Sequence, residues 1–357
     1  TYKFLSPKDY ITFNLSGSIS TDWSEASGTY LYDIRKNQWS PELSSALGID
    51  LEKLPDIKAP HEIVGEIKQD AARLTGLNVG TPVIAGGADF LCTFLGAGVV
   101  KEGRASDISG TGSAIAFYSD KPLMNMAVMN LRHVVDGWIV FGLVEGGLLR
   151  WFRDEFCQLE KKIAEEKRIS AYKIMDEMAN KIPPGSNGLI LIPYLIGRRT
   201  LGSPHTRGVL FGLTLAHKKP HVIRSILEGI TLALRETLEI VENMGLKVES
   251  FRAIGGGAVS KLWRQIKADI YGKPVELLNV YHGGVLGVAL LEMKGLKLIK
   301  DPVEVIDNMV YVVDRSVPSK ENYERYTKFF KLYKRLSRSL NEFYDELARI
   351  EAGPSSL

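Results

Sequence analysis

The order strand, glycine-rich turn, helix is the feature that most restricts how this chain can fold, and it occurs twice. Residues 81–85 have the apolar character of a buried strand that runs into Gly86-Gly87-Ala88-Asp89, and a short helix is predicted from Phe90 to Gly98. Residues 251–254 predict a second strand, followed by a glycine-rich turn and a helix over residues 260–271. Strands that alternate with helices in this way predict an α/β fold.

The clearest single helix is predicted between Pro220 and Met244. Isoleucine, leucine and valine recur there at every third or fourth position and form one apolar stripe along the helix. Proline suits the first turn of a helix, and Gly245 suits its end. Further strands are predicted over residues 105–109, 114–119, 138–143, 189–193 and 274–278. Further helices are predicted over residues 5–17, 283–293 and 320–348, and one or two short helices over residues 41–54.

The length of 357 residues is sufficient for two domains, and we place their boundary in the short, turn-rich segment 98–104. One domain then covers residues 1–99 and the other covers residues 100–357. The net charge of +3 gives no reason to expect nucleic acid or a membrane surface as the partner. The two cysteines, Cys92 and Cys157, lie far apart in the sequence, which favours a reducing cytoplasm. The six histidines show no spacing typical of a metal site.

The run Gly110-Thr111-Gly112-Ser113 lies between two predicted strands and has the composition of a turn that could hold phosphate. Consecutive backbone N–H groups in a tight turn form a concave positive patch, and small residues let the backbone come close to an anion. The two hydroxyl groups add further donors. A plain hairpin turn is the alternative interpretation of the same residues.

The run Ile254-Gly255-Gly256-Gly257-Ala258 lies between a predicted strand and a predicted helix, where backbone N–H groups and a helix N-terminus could hold a nucleotide. A dinucleotide-binding fingerprint is one alternative, since Gly255 and Gly257 supply its first two glycines. Ser260 stands at the third glycine position, however, and the unit lies late in the chain. Glycines that only pack a helix onto a sheet are the other alternative.

Asp89 follows a predicted strand and three small residues, Gly86, Gly87 and Ala88. Transfer of a phosphoryl group to an alcohol needs a carboxylate that accepts the hydroxyl proton beside the phosphate. The small residues would leave room for a small substrate. Asp89 could also cap the helix that starts at Phe90, and the two roles are compatible.

Taken in order, these motifs resemble the FGGY family of carbohydrate kinases. The second signature of the family is matched from Gly208 to Glu228, and the Gly-Gly-Gly-Ala run with Leu262-Trp263-Arg264-Gln265 is similar to the family as well. Further matches are Pro193-Tyr194-Leu195 with Gly197, Val144-Glu145-Gly146-Gly147 with Trp151, Pro7-Lys8-Asp9-Tyr10 and Thr21-Asp22-Trp23-Ser24. The resemblance covers nearly the whole chain, and several motifs in order make it more specific than any one of them.

The resemblance implies an actin-like (ribonuclease H-like) ATPase fold of the α/β class, with two domains that close around ATP and a sugar and a first domain that is incomplete in this chain. It implies Asp89 as the general base, with Phe90 beside it in the substrate site. Mg²⁺ would bridge the phosphates, as phosphoryl transfer requires. The residues implied to bind ATP are Gly110, Thr111, Gly112, Gly146, Arg150, Gly256, Gly257, Ala258 and Lys261.

The chain departs from the family pattern at several positions. Phe90 stands where many members carry Asn or Gln, Arg198 replaces the usual Glu, and Tyr281-His282 stand where an acidic residue and a small one are common. The family also opens with a strand that carries an Asp-x-Gly-Thr phosphate loop, and this chain has no matching segment. We therefore expect the chain to lack the first segment of a longer protein.

These observations predict an ATP-dependent kinase that acts on a small sugar or polyol, a pentulose such as xylulose before others. The Gly-Gly-Ala-Asp and Gly-Gly-Gly-Ala runs are closer to pentulose and gluconate kinases, whereas the Gly-Thr-Gly run at residues 110–112 is similar to glycerol kinases. A non-catalytic, nucleotide-binding relative is the contrasting hypothesis. A homodimer is left open.

Overall fold

The structure is a computed structural model that describes residues 1–110, 112–144, 147–198, 204–280 and 283–352. In chain order its strands are β1 (Ser20–Asp22), β2 (Tyr32–Asp33), β3 (Gln38–Trp39), β4 (Asp56–Lys58), β5 (Ile63–Glu66), β6 (Pro82–Ile84), β7 (Gly103–Ser109), β8 (Ser113–Ser119), β9 (Met129–Arg132), β10 (Trp138–Val144), β11 (Ile190–Ile192), β12 (Val209–Phe211), β13 (Val248–Ile254), β14 (Val275–Leu278) and β15 (Val312–Ser316).

The helices are α1 (Pro7–Ser16), α2 (Trp23–Ser27), α3 (Pro41–Ala46), α4 (Gln69–Thr75), α5 (Asp89–Gly96), α6 (Leu148–Phe156), α7 (Gln158–Lys167), α8 (Ala171–Ala179), α9 (Lys219–Asn243), α10 (Lys261–Tyr271), α11 (Gly283–Gly295), α12 (Pro302–Met309), α13 (Lys320–Ser339) and α14 (Asn341–Ala352). Short 3₁₀ turns cover Leu51–Lys53, Ser186–Gly188 and Gly256–Val259. Among the residues in these described ranges, no helix is both long enough and apolar enough to cross a lipid bilayer.

A seven-stranded sheet organises the second half of the chain, in the order β15-β14-β13-β7-β8-β10-β9. Strand β13 pairs in parallel with β7 and with β14, whereas the other neighbouring strands are antiparallel. The carboxyl ends of β7, β13 and β14 therefore lie at one edge of the sheet, which we call the carboxyl edge. The turn that begins at Gly110 follows β7, and the turn that begins at Gly255 follows β13, so these two turns lie at the carboxyl edge.

Helices cover both faces of this sheet because its central strands are apolar on both sides. In β8, Ile115 and Phe117 join the core formed with α9 and α10, whereas Ala116 and Tyr118 join the core formed with α5 and α11. This alternation follows from the two-residue period of a strand. The result is a three-layer α/β arrangement, which confirms the fold class predicted from the order of the elements.

Helices α5 and α11 pack against each other at very close range. A Cβ atom at Gly96 would lie 1.8 Å from the carbonyl oxygen of Gly283, and one at Gly287 would lie 2.0 Å from that of Cys92. Only glycine permits such an approach. Helix α5 belongs to the predicted first domain, yet it shares a core with the sheet of the predicted second domain. The division into residues 1–99 and 100–357 stays a prediction.

Most of the predicted elements are confirmed, with small shifts at their ends. The single terminal helix predicted over residues 320–348 is wrong, since the structure has α13 and α14 with a break at Leu340. The Ser339 hydroxyl donates to the carbonyl of Arg335 at 3.0 Å, and such bonds commonly bend helices. The helices that were not predicted from the sequence are α2, α4, α6, α7, α8 and α12.

Candidate active site

A cavity of about 1440 Å³ opens at the carboxyl edge of the sheet. Its walls come from the β7–β8 turn, the start of α6, helix α8 with the segment that follows it, and the start of α10. This volume exceeds the roughly 300–1,000 Å³ of common small-molecule pockets, so a nucleotide would fit. The residues implied to bind ATP that line it are Gly110, Arg150, Gly256, Gly257 and Lys261.

The other residues implied to bind ATP have different positions. The carbonyl of Gly112 accepts a hydrogen bond of 2.9 Å from the N–H of Gly110, which closes the turn after β7. Ala258 is buried, and its carbonyl accepts a hydrogen bond from the Arg264 side chain. Thr111 and Gly146 lie outside the described residues, as do Tyr281 and His282.

The glycines after β13 serve two different purposes. Gly255 has a φ of +85°, and a Cβ atom there would lie 2.6 Å from the carbonyl oxygen of Ser109. A Cβ atom at Gly257 would lie 2.6 Å from the Cβ of the same serine. Gly256, in contrast, has no neighbouring atom within 4 Å of such a Cβ. Packing therefore demands glycine at Gly255 and Gly257, whereas at Gly256 the open side faces the cavity.

The N-terminus of α10 also contributes to the cavity. The Ser260 side chain accepts the N–H of Trp263 at 3.1 Å and caps the helix, whose first residue is Lys261. Unpaired N–H groups and the helix dipole make such an end favourable for anions. The end of this helix would therefore favour a negatively charged ligand in the cavity.

Four cations line the cavity without an ion pair to any residue in the described ranges. All four side chains are exposed, and they are Arg150, Lys173, Lys181 and Lys261. Arg224 also lines the cavity, but its guanidinium is already bound to Glu228 at 2.8 Å and to Tyr326 at 3.1 Å. Arg150 and Lys261 are therefore available for phosphate, whereas Arg224 is committed to the protein.

A fully buried lysine lies behind the two turns. The Lys267 ammonium group donates to the carboxylate of Asp107 and to the hydroxyl of Ser109. The Tyr271 hydroxyl donates to the other oxygen of Asp107 at 2.7 Å, and Lys267 lies 4.3 Å from the ring centre of Trp263. Burial lowers the pKa of Lys267, and the nearby Asp107 carboxylate opposes that shift. The network holds Ser109, against which both packing glycines rest.

Asp89 is the first residue of α5 and is exposed. Its carboxylate accepts the N–H of Phe90 at 2.5 Å, while Ala88 is the capping residue and makes no side-chain cap. The interpretation of Asp89 as the cap of a helix that starts at Phe90 is therefore wrong by one position. A Cβ atom at Gly284, after β14, would lie 3.9 Å from the carbonyl oxygen of Asp89. Asp89 thus lies at the carboxyl edge, although it is not part of the cavity wall.

Phe90 is partly buried, and its ring takes part in core packing. The ring centre lies 4.6 Å from that of Phe94 and 5.2 Å from that of Phe141. These contacts are sufficient to explain why an aromatic residue stands at this position, and they involve no ligand. A contact between Phe90 and the sugar stays a prediction.

Two parts of this site were not predicted from the sequence. The first is the wall formed by α8 and residues 180–184, which carries no recognisable motif. The second is the Asp107–Lys267 pair, whose signal was available: each charged residue lies in a segment that is otherwise buried. Buried charges are rare unless they are paired, so the two together could have suggested a contact.

Comparison with known sequences finds matches over nearly the whole chain. The model for the N-terminal domain of the FGGY family of carbohydrate kinases matches residues 1–96, and the model for the C-terminal domain matches residues 106–296. The chain is 33% identical over 345 residues to a xylulose kinase of Bacillus subtilis, and the aligned region covers 94% of the chain and 66% of that protein. It is 31% identical over 360 residues to a gluconokinase of Bacillus licheniformis, covering 99% of the chain and 70% of that protein.

Comparison with solved structures leads to the same family. A ligand-bound xylulose kinase from Lactobacillus acidophilus superposes with a TM-score of 0.88 and 26% sequence identity, covering 97% of this chain and 70% of that one. The actin-like α/β fold implied by the sequence is thereby confirmed. The chain spans 66% of the length of the Bacillus subtilis relative. On the matches to both family domains and to these relatives, the chain belongs to the FGGY family of carbohydrate kinases.

Proposed function

We propose that the full-length protein transfers the γ-phosphate of ATP to a hydroxyl group of a small sugar. The observation that carries this proposal is the position of the two glycine-rich turns, which line one nucleotide-sized cavity together with Arg150 and Lys261. Asp89 lies at the same edge of the sheet, at the start of α5. A carboxylate and a phosphate site at one edge are the two parts that phosphoryl transfer to an alcohol needs.

In the proposed reaction, Asp89 accepts the proton of the sugar hydroxyl while the oxygen of that hydroxyl forms a bond to the γ-phosphorus. The bond between that phosphorus and the bridging oxygen breaks, and ADP leaves with the electron pair. The turns at Gly110 and Gly256 hold the phosphates through backbone N–H groups, and Arg150 and Lys261 balance their charge. We also propose Thr111, Gly112, Gly146, Gly257 and Ala258 as nucleotide-binding residues.

The metal of this reaction would be Mg²⁺ that enters with ATP. Within the described ranges, no group of three or more His, Cys, Asp or Glu side chains is arranged to hold a metal ion. Mg²⁺ usually keeps several water ligands and binds through substrate phosphates with one or two carboxylates. Such an ion fits this chain, because phosphate oxygens and water would supply most of its ligands.

A pentulose is the first substrate to test, because the relatives named above include a xylulose kinase at 33% identity. Gluconate is the second candidate, on the 31% identity to a gluconokinase over nearly the whole chain. The two sugars differ in charge, since gluconate carries a carboxylate and xylulose does not. A site for gluconate would therefore need a cation close to Asp89.

A coupled assay of ADP release with the full-length protein tests this proposal. Xylulose, ribulose, gluconate and glycerol are compared with a reaction that lacks sugar. We expect ADP release that depends on one of the sugars and is strongest with a pentulose. Nucleotide binding without sugar-dependent turnover for any of them would instead identify a non-catalytic relative.

A further inference from the structure

Two motifs near the start of the chain have no part in the proposed reaction, yet they meet in the structure. Asp22 is completely buried, and one of its carboxylate oxygens lies 3.1 Å from the ammonium group of Lys8. The same ammonium group lies 2.7 Å from the carboxylate of Asp9 and donates to the carbonyl of Ala85 at 2.9 Å. Lys8 therefore joins a buried carboxylate to the first residue of the loop that leads to Asp89.

Ser24 joins the same carboxylate to the other end of this loop. Its N–H donates to Asp22 at 2.7 Å, and its hydroxyl donates to the same carboxylate oxygen. The Ser24 oxygen in turn accepts the N–H of Ala88 at 2.9 Å. Because the hydroxyl proton is committed to Asp22, the lone pairs of the oxygen are free for Ala88.

The loop of residues 85–88 is thus fixed at both ends and also between them. The N–H of Gly86 donates to the carbonyl of Pro60 at 2.9 Å. A Cβ atom at Gly87 would lie 2.6 Å from a methyl group of Val134, which leaves the loop no room to shift in that direction. Ala88 is the residue before α5, so the bond from its N–H sets where the helix, and with it Asp89, begins.

Burying the charges of Asp22 and Lys8 costs free energy, and stability of the loop alone would not require them. Burial raises the pKa of Asp22, and Lys8 opposes that shift. Burial also acts to lower the pKa of Lys8, but the carboxylates of Asp22 and Asp9 raise it overall. Apolar residues of similar volume are often as stabilising as a buried ion pair, whereas only directional bonds fix a backbone in one place.

We propose that Lys8, Asp22 and Ser24 are positioning residues that hold the loop of residues 85–88, and through it Asp89, in the geometry required for proton transfer. The proposal rests on the proposed function. None of the three residues lines the cavity at the carboxyl edge. Their loss should therefore affect the chemical step and leave nucleotide binding intact, since reaction rates depend steeply on the position of the reacting groups.

The test compares Ser24→Ala with Ser27→Ala in the full-length protein. Ser27 is a matched control, since it is buried in the same helix, donates to the Ser24 carbonyl at 2.8 Å and accepts the N–H of Arg132 at 2.8 Å. Ser24→Ala should lower kcat by about 10- to 100-fold with KM for ATP unchanged. Ser27→Ala should keep its kcat, and Ser24→Thr, which restores the hydroxyl, should recover most of the loss.

Coupling to Asp89 separates positioning from a general loss of structure. In the Asp89→Asn background, Ser24→Ala should have little further effect on kcat, because the group that it positions is already absent. The same loss in both backgrounds, or an equal loss from Ser27→Ala, would overturn the proposal. If Ser24→Ala does not fold, Lys8→Met removes the bond to Ala85 and must show the same selective fall in kcat; a change in KM for ATP alone overturns the proposal.

Failure of the proposed function would look different. In that case the wild-type protein and Ser27→Ala would both lack sugar-dependent turnover. If both turn over and Ser24→Ala does so equally well, then the positioning role alone is wrong.

Discussion

Lys267, which is completely buried, donates to the carboxylate of Asp107, behind the two glycine-rich turns that line the cavity. The two residues are 160 positions apart in the sequence. Lys267 also donates to the hydroxyl of Ser109, and the backbone of Gly255 packs on the carbonyl of that serine. One buried pair therefore sets how the end of β7 lies against the turn that follows β13.

The substitution Lys267→Met should destabilise the protein by about 3–5 kcal/mol, because it leaves the Asp107 carboxylate buried and unpaired. Urea unfolding of the variant and the wild type measures the difference. The exposed pair Arg73–Asp70, at 3.5 Å, is the control, and Arg73→Met should change the free energy of unfolding by less than about 1 kcal/mol. A similar small effect for both variants would contradict the structural role of Lys267.

The substitution Asp89→Asn should lower kcat by about 10²–10⁴-fold, because the amide cannot accept the proton of the sugar hydroxyl. The side chain is exposed, so folding and ATP affinity should stay close to those of the wild type. Steady-state kinetics and calorimetric titration with ATP provide the two measurements. Asp136→Asn, at a side chain that is 99% exposed, is the control. Near-normal turnover of Asp89→Asn would exclude Asp89 as the base.

Neighbouring glycines should respond differently to alanine. Gly255→Ala places a Cβ atom 2.6 Å from the Ser109 carbonyl and a side chain at a φ of +85°, so the thermal unfolding temperature should fall markedly. Gly256→Ala meets no protein atom within 4 Å, so it should keep the stability of the wild type but weaken ATP binding. Gly245→Ala, with a φ of +91° and open space, controls for backbone strain alone. Equal ATP affinity for Gly256→Ala and the wild type would argue against phosphate at this turn.

The substitution Lys261→Met should raise KM for ATP by about 10- to 100-fold, since a hydrogen bond to a charged group contributes about 1.5–3 kcal/mol. kcat at saturating ATP should change much less. Lys247→Met removes another exposed lysine, one that is not part of the cavity wall, and should have no effect. Titration of both variants with ATP measures their affinities. Equal affinities of Lys261→Met and Lys247→Met for ATP would show that Lys261 does not bind the phosphates.

Stability should fall in acid because of His133. The ring is fully buried: Nε2 lies 3.2 Å from the Val99 carbonyl, and Nδ1 accepts the N–H of Val135 at 3.1 Å. Burial lowers its pKa from 6.5 to about 3. Between these pH values the imidazole is protonated in the unfolded chain and neutral in the folded protein. Stability should therefore decrease as the pH falls from about 6.5 towards 3, by about 1.4 kcal/mol per pH unit.

Urea unfolding between pH 7 and pH 4 measures this dependence. His133→Gln, whose side chain does not titrate, should show a slope smaller by that amount. Identical slopes for His133→Gln and the wild type would show that the buried imidazole is not the group responsible.

The sequence by itself determined the class of the fold, because the spacing of apolar residues is a local property of each element. The stripe over residues 220–244 predicted α9, and the glycine-rich runs marked both turns that line the cavity. The motifs around Gly208–Glu228 and Gly255–Ala258 also indicated the family. The sequence also predicts Asp89 as a candidate base, since it shows a carboxylate that follows a predicted strand and three small residues.

Only the tertiary structure decided which of these residues meet. Gly255 and Gly257 pack so closely against Ser109 that no side chain fits there, whereas Gly256 faces open space. It also brought Asp107 to Lys267, and Lys8 and Ser24 to the loop before Asp89. The physical reason is that hydrogen bonds and ion pairs between distant segments depend on how strands and helices are arranged in space, and sequence periodicity records only the face that each element buries.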